Sequence, residues 1–189
     1  MMDMTEQRKL ILRLRAQLVE KEYVLCGIDG RSGAGKTALA QALQEEFGCT
    51  VIHLSDFPLR PEQRAPQRLR EPGGSIDRER LLSEALKPLR ARLPFCYRPY
   101  DAKAQTFGDP IPVLPGTMAV VEGVYACHPA LRNFYDLRVF LDVDPDTQRE
   151  RLRARDADEW PLYETLWLPA EERYFRETRV RDRCNLVLK

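Results

Sequence analysis

Eight consecutive residues, Gly30-Arg31-Ser32-Gly33-Ala34-Gly35-Lys36-Thr37, constrain this chain more than any other feature. They place two glycines, a lysine and a hydroxyl side chain at the spacing G-x-x-x-x-G-K-[ST]. An apolar run, Tyr23-Val24-Leu25-Cys26-Gly27-Ile28, comes just before them, and a helix-forming stretch over 38–47 comes just after. Strand, glycine loop and helix in that order make a physical site of the pattern. Glycine adopts backbone angles closed to other residues, so successive N–H groups can turn inward around an anion. The start of the following helix adds partial positive charge. In this frame Gly30, Arg31, Ser32, Gly33, Ala34 and Gly35 wrap the phosphates, Lys36 reaches the outer ones, and the Thr37 hydroxyl holds a metal ion. The sequence thus predicts a site for ATP, or another nucleoside triphosphate, with Mg2+.

Around the loop, apolar stretches alternate with helical ones. Residues 5–20 show helical spacing of Leu10, Ile11, Leu14, Leu18 and Val19, and 37–47 form the helix after the loop, ending near Gly48. Strands are predicted at 23–28, 50–54, 117–121, 137–143 and 185–188, and further helices at 77–92, 145–155 and 169–182. Unalternating apolar strands separated by helices indicate a parallel sheet covered on both faces. The expectation is one α/β domain over 1–189, with three layers (α/β/α) and a mainly parallel five-stranded sheet. Two proline-punctuated excursions, 58–76 and 94–116, interrupt this order, and irregular stretches of that length inside a compact domain are more often functional than decorative.

Three further features carry chemistry. Val120-Val121-Glu122-Gly123 puts a carboxylate at the carboxyl end of an apolar strand, the edge where open parallel sheets bind ligands. From there Glu122 can orient a metal ion or polarise a hydroxyl. Ser55-Asp56 ends the second strand, which is expected beside the first, and Asp56 is a candidate to take a proton from an acceptor hydroxyl. In Arg149-Glu150-Arg151-Leu152-Arg153-Ala154-Arg155, helical spacing sets Arg151 and Arg155 on one face. They either pair with neighbouring acids on a solvated helix or stabilise charge on a phosphoryl group in transfer. His53 and His128 read as structural, and Trp160, Trp167, Tyr174 and Phe175 as packing residues.

Bulk properties exclude other classes. A net charge of +1 over 189 residues offers no global field for nucleic acid or an anionic membrane. Five scattered cysteines without C-x-x-C spacing argue against a disulfide framework or zinc site and for reduced thiols in a cytoplasm. No segment has the apolar length of a signal region or a membrane span.

Together the loop, Ser55-Asp56-Phe57, Glu71-Pro72-Gly73-Gly74-Ser75-Ile76-Asp77, Tyr97-Arg98-Pro99-Tyr100-Asp101, Val121-Glu122-Gly123 and the arginine helix resemble the uridine kinase and phosphoribulokinase branch of the P-loop kinases, over about residues 22–188. The stretch 167–175 is similar to bacterial uridine kinase-like proteins. That resemblance implies transfer of the γ-phosphate of ATP to a small-molecule hydroxyl, in uridine kinases the ribose 5′-OH of uridine or cytidine. It implies that the two excursions cradle the acceptor, with Glu71 near an acid that holds ribose hydroxyls and Tyr97, Tyr100 and Asp101 at the acceptor. It also implies that Arg151 and Arg155 belong to a small helical lid at about 149–168. One departure stands out. The family's Asp-x-Phe motif has its Asp where this chain has Ser55, which leaves Asp56 or Glu122 for the base. Pantothenate, a sugar or a sugar phosphate are alternative acceptors, a nucleotide-binding regulator with weak transfer is an alternative role, and a homodimer is compatible with the family.

Overall fold

The computed structural model of the chain describes residues 4–189. Its centre is a five-stranded sheet built from β1 (Val24–Gly30), β2 (Thr50–His53), β3 (Met118–Glu122), β4 (Leu137–Leu141) and β5 (Leu186–Leu188). All pairings are parallel, in the spatial order β2-β3-β1-β4-β5. Side chains of β1 alternate between two cores: Val24, Cys26 and Ile28 face one, and Leu25 faces the other. A strand apolar on both faces has to lie mid-sheet under helices, which explains the unbroken apolar run before the loop.

Helices α1 (Met4–Glu20) and α2 (Lys36–Phe47) cover the first core through Leu10, Leu14, Leu39 and Leu43. The second core is closed by α3 (78–91) and α5 (160–178), through Leu81, Leu86 and Tyr174. Between β4 and α5 lies α4 (Pro145–Arg155), capped by the Asp144 carboxylate on the Asp146 and Thr147 N–H groups. Both α3 and α5 contain a π-helical turn, Leu82–Leu86 and Tyr163–Trp167, two residues ahead of Pro88 and Pro169. Proline has no N–H to give to the preceding turn, and the widened turn takes up the mismatch. The excursion at 94–116 is folded into two short antiparallel ladders, Phe95–Tyr97 with Ile111–Val113 and Tyr100–Asp101 with Thr106–Phe107.

Two expectations need correction. The second strand does not lie beside the first: β3 stands between them and β2 is at the sheet edge. Burial explains this, because every residue of β3 is buried whereas only Ile52 of β2 is. Val19 does not share the apolar face of α1 and is 88% exposed. At 100° per residue it points opposite Leu10 and Leu14, which are fully buried.

The turn after β3 is anchored by His128. Its ring stacks on Tyr174, Nδ1 accepts the Ala130 N–H (3.1 Å), and Nε2 lies 3.1 Å from the Pro72 carbonyl and 2.9 Å from Arg78 Nη1. Burial, reinforced by the Arg78 guanidinium, pushes its pKa down to about 4. The fold therefore disfavours the imidazolium. As pH falls from the unfolded value near 6.5 towards about 4, the unfolded chain binds the proton first and stability is lost, levelling off below that. The expected loss from this group is about 2–3 kcal/mol. His128→Gln should flatten the fall in melting temperature between pH 7 and pH 4.5; an unchanged slope would remove His128 as its source.

Candidate active site at the phosphate loop

The loop leaves β1 at Gly30 and enters α2 at Lys36. A side chain at residue 30 is impossible, since a Cβ there would lie 2.1 Å from the Leu141 carbonyl oxygen. Gly35, the residue before α2, is left-handed at φ 97°, a conformation glycine adopts without penalty. Several loop amides are bound to the protein itself: Gly30 N–H to Asp29 Oδ1 (2.7 Å), Arg31 N–H to the Leu141 carbonyl (3.1 Å), Ser32 N–H to Glu171 Oε2 (3.0 Å) and Ala34 N–H to the Arg31 carbonyl (3.1 Å). At Lys36 and Thr37 the N–H groups belong to the first turn of α2 and have no intrahelical acceptor.

A cleft of about 530 Å³ opens over that helix start, lined among others by Lys36, Thr37, Ser55, Glu122 and Arg155. Lys36 is 8% exposed, and its ammonium donates to the carbonyls of Gly30 (2.9 Å) and Arg31 (2.8 Å). Burial lowers its pKa, against the pull of Glu171, Asp29 and Glu122. Glu122, at the end of β3, is also buried. Its Oε1 accepts from the Thr37 hydroxyl (3.0 Å) and lies 2.7 Å from His53 Nδ1. The hydrogen bond to Glu122 raises the His53 pKa, so the imidazole read from sequence as structural is a partner of the strand-end acid.

Ser55 and Asp56 part company at the end of β2. Ser55 lines the cleft, whereas the Asp56 carboxylate accepts from the Tyr97 phenol at 2.9 Å. Tyr97 stacks on Phe57 with ring centroids 5.3 Å apart, and burial with the Asp56 charge raises its pKa. Arg155 lines the cleft and pairs with Asp156; Arg151 donates to the Gly33 carbonyl (3.1 Å) and faces a second cavity. That cavity, about 470 Å³, lies against Arg31 and Ala34 of the loop and Val143, Thr147 and Lys189. Glu71, Tyr97, Tyr100 and Asp101 do not line the phosphate cleft. Glu71 is held by Arg78 (2.6 Å), Tyr100 packs edge-on against Phe107, and the Asp101 carboxylate closes its own turn on the N–H groups of Lys103 and Ala104.

Sequence reading overlooked two buried carboxylates that grip the loop. Asp29, fully buried at the root of the loop, accepts from Gly30, Tyr125 and Cys127 N–H groups and from the Tyr174 hydroxyl. Glu171, from far along the chain, accepts from both the N–H and the hydroxyl of Ser32. Asp29 had a visible signal, an acid inside an apolar strand; Glu171 had none.

No family model matches the chain. A curated relative, the uridine kinase of Geobacillus sp. (strain WCH70), is 33% identical over 148 residues, covering 74% of this chain and 70% of the relative. The chain belongs to the uridine kinase family. The uridine kinase of Geobacillus kaustophilus (strain HTA426) is 31% identical over 153 residues, with the same coverages of 74% and 70%. In three dimensions the chain is similar to a possible uridine kinase from Bacillus stearothermophilus, with a TM-score of 0.69 over 97% of this chain and 100% of that one. At 23% identity that likeness speaks for the fold, the three-layer P-loop kinase arrangement expected from the strand and helix order. This member of the family is a phosphotransferase acting on a hydroxyl group, and membership implies ATP as donor. Among the described residues no helix is long and apolar enough to cross a membrane.

Proposed function

We propose that the chain transfers the γ-phosphate of ATP to the 5′-hydroxyl of uridine or cytidine. One observation carries this reading: a single cleft gathers the start of α2, the Glu122 carboxylate, Ser55 and Arg155. The loop and Lys36 hold the phosphates, and the donor's nucleoside part lies in the second cavity, beyond Arg31 and Ala34. Thr37 and Glu122 fit Mg2+, because a hydroxyl and a carboxylate 3.0 Å apart are hard oxygen donors that leave room for phosphate oxygens and water. When bound, the ion would neutralise charge on the β- and γ-phosphates. Arg155, with Arg151 beside the loop, stabilises charge on the phosphoryl oxygens from a lid at about 149–168.

The acceptor enters from the side of Ile76, the end of the 58–76 excursion, which lines the same cleft. Glu71, Asp56, Tyr97, Tyr100 and Asp101 form its outer surroundings in this reading. The test is turnover with magnesium and ATP over a panel of nucleosides, sugars and vitamin precursors, screened first by thermal shift with a non-hydrolysable ATP analogue. Binding raises apparent stability by mass action, so the screen needs no product assay. Uridine or cytidine should lead the panel, and silence from both would sink the acceptor assignment.

Ser55 favours a second reading, weak transfer by a chain that chiefly binds nucleotide, because the residue facing the cleft at the end of β2 cannot act as a base. Ser55→Asp is expected to raise kcat by about 10²-fold or more, the lower reach of a positioned general base. An unchanged rate in an active enzyme would favour Asp56 or Glu122 as the working acid instead.

A further inference from the structure

The phosphate loop has two halves that differ in what holds them. In the first, the amides of Gly30, Arg31, Ser32 and Ala34 are bound to protein acceptors, and only that of Gly33 among them is not. In the second, Lys36 and Thr37 present the open amides of a helix start. Three of the four acceptors in the first half sit on the loop or on the strands flanking it. The fourth is Glu171 on α5. This carboxylate is 2% exposed, and both its oxygens are engaged: Oε2 by Ser32 N–H (3.0 Å) and Ser32 Oγ (2.7 Å), Oε1 by the Gln148 amide (2.7 Å).

A negative charge beside a triphosphate site is unfavourable by itself. Its retention there, in a buried and fully engaged state, points to the contact rather than the charge. The helix bearing it is pinned through the four residues that follow Glu171. Glu172 pairs with the Arg31 guanidinium, Arg31 lies over the Phe175 ring, and the Tyr174 hydroxyl donates to Asp29. Arg173 reaches the Leu69 carbonyl of the acceptor-side excursion (3.2 Å). Glu171 is thus a fixed strut, not a group poised to swing away.

We propose that Glu171 is a positioning residue for the donor: seated on Ser32, it holds the first half of the phosphate loop in the shape that leaves the second half open to phosphate. The proposal rests on the donor-binding reading of the loop. It makes reach decisive and charge secondary, and two substitutions separate these. Glu171→Gln keeps the length and an oxygen for Ser32, and Gln148 can turn its own amide over to meet the new NH2 group, giving up only its long contact with Arg31 Nη1 (3.4 Å), a guanidinium that Asp142 and Glu172 still hold. Glu171→Asp keeps the charge and falls short by one methylene.

Calorimetric titration of a non-hydrolysable ATP analogue with magnesium tests this, on protein shown to be folded by its melting curve. Glu171→Gln is expected within about threefold of the native dissociation constant, and Glu171→Asp weaker by at least about tenfold, the loss that goes with a broken hydrogen bond to a charged group. Turnover should show the same pattern as a rise in KM for ATP with a smaller change in kcat. Native affinity in Glu171→Asp would overturn the proposal, and so would tighter binding in Glu171→Gln, which would make the carboxylate a competitor of phosphate. Absence of binding by the native protein would overturn the donor reading itself, an outcome distinct from a native-like Glu171→Asp.

Discussion

Lys36→Ala is expected to lower kcat/KM by about 10²–10³-fold, a loss of about 3–4 kcal/mol in transition-state stabilisation. Lys36 is buried, lies over the loop carbonyls of Gly30 and Arg31, and lines the cleft that holds Glu122 and Arg155. Phosphoryl transfer leaves little covalent chemistry to the protein, so positioned positive charge is most of what it can supply. In a site screened from water that charge is worth far more than on the surface. Lys36→Arg should not rescue, because a planar guanidinium cannot take the place of a compact ammonium in a buried seat built for it. Calorimetry with the ATP analogue separates binding from chemistry. Undiminished affinity together with an undiminished rate would end the assignment of this loop as the donor site.

The largest effect on stability is expected at Asp29. Its two oxygens accept four hydrogen bonds: Gly30 N–H (2.7 Å), Tyr125 N–H (3.1 Å), Cys127 N–H (2.9 Å) and Tyr174 Oη (2.7 Å). They tie the end of β1 to the turn after β3 and to α5. Burial pushes the carboxyl pKa up, while Tyr174, the backbone donors and Lys36 pull against that rise. Asp29→Ala strands all four donors without water and should cost about 3–5 kcal/mol. Asp29→Asn keeps one acceptor but turns an NH2 group on the Cys127 N–H, for about 1–3 kcal/mol. Urea unfolding at neutral pH reads both as a fall in midpoint at constant slope. A midpoint within experimental error of native for Asp29→Ala would show that the turn rearranges to satisfy its own donors.

Much of this architecture was legible in the residues. The loop, the five strands and the carboxylate ending β3 follow from spacing and apolar runs, because those signals are local and each strand is buried on its own account. The position of β2 was not legible. Which strand takes the edge depends on comparative burial, and the difference between a fully buried β3 and a half-buried β2 emerges only when helices cover the sheet. The divergence of Ser55 and Asp56 escaped for a related reason. A short 3-10 turn, Leu54–Asp56, follows β2 and decides which of two neighbours looks into the cleft. Glu171 was invisible, since nothing around it in sequence refers to Ser32.

The register of β1 has a consequence for how the protein comes to exist at all. Val24 pairs with Met118 and Cys26 with Leu137, so the strand that launches the phosphate loop finds its neighbours only among residues made much later in synthesis. Such pairings bear the entropy of closing long chain segments before any contact rewards them, and they slow folding. A nascent or truncated chain ending before Met118 carries every letter of the loop and has neither strand that flanks β1. It should show no affinity for nucleotide.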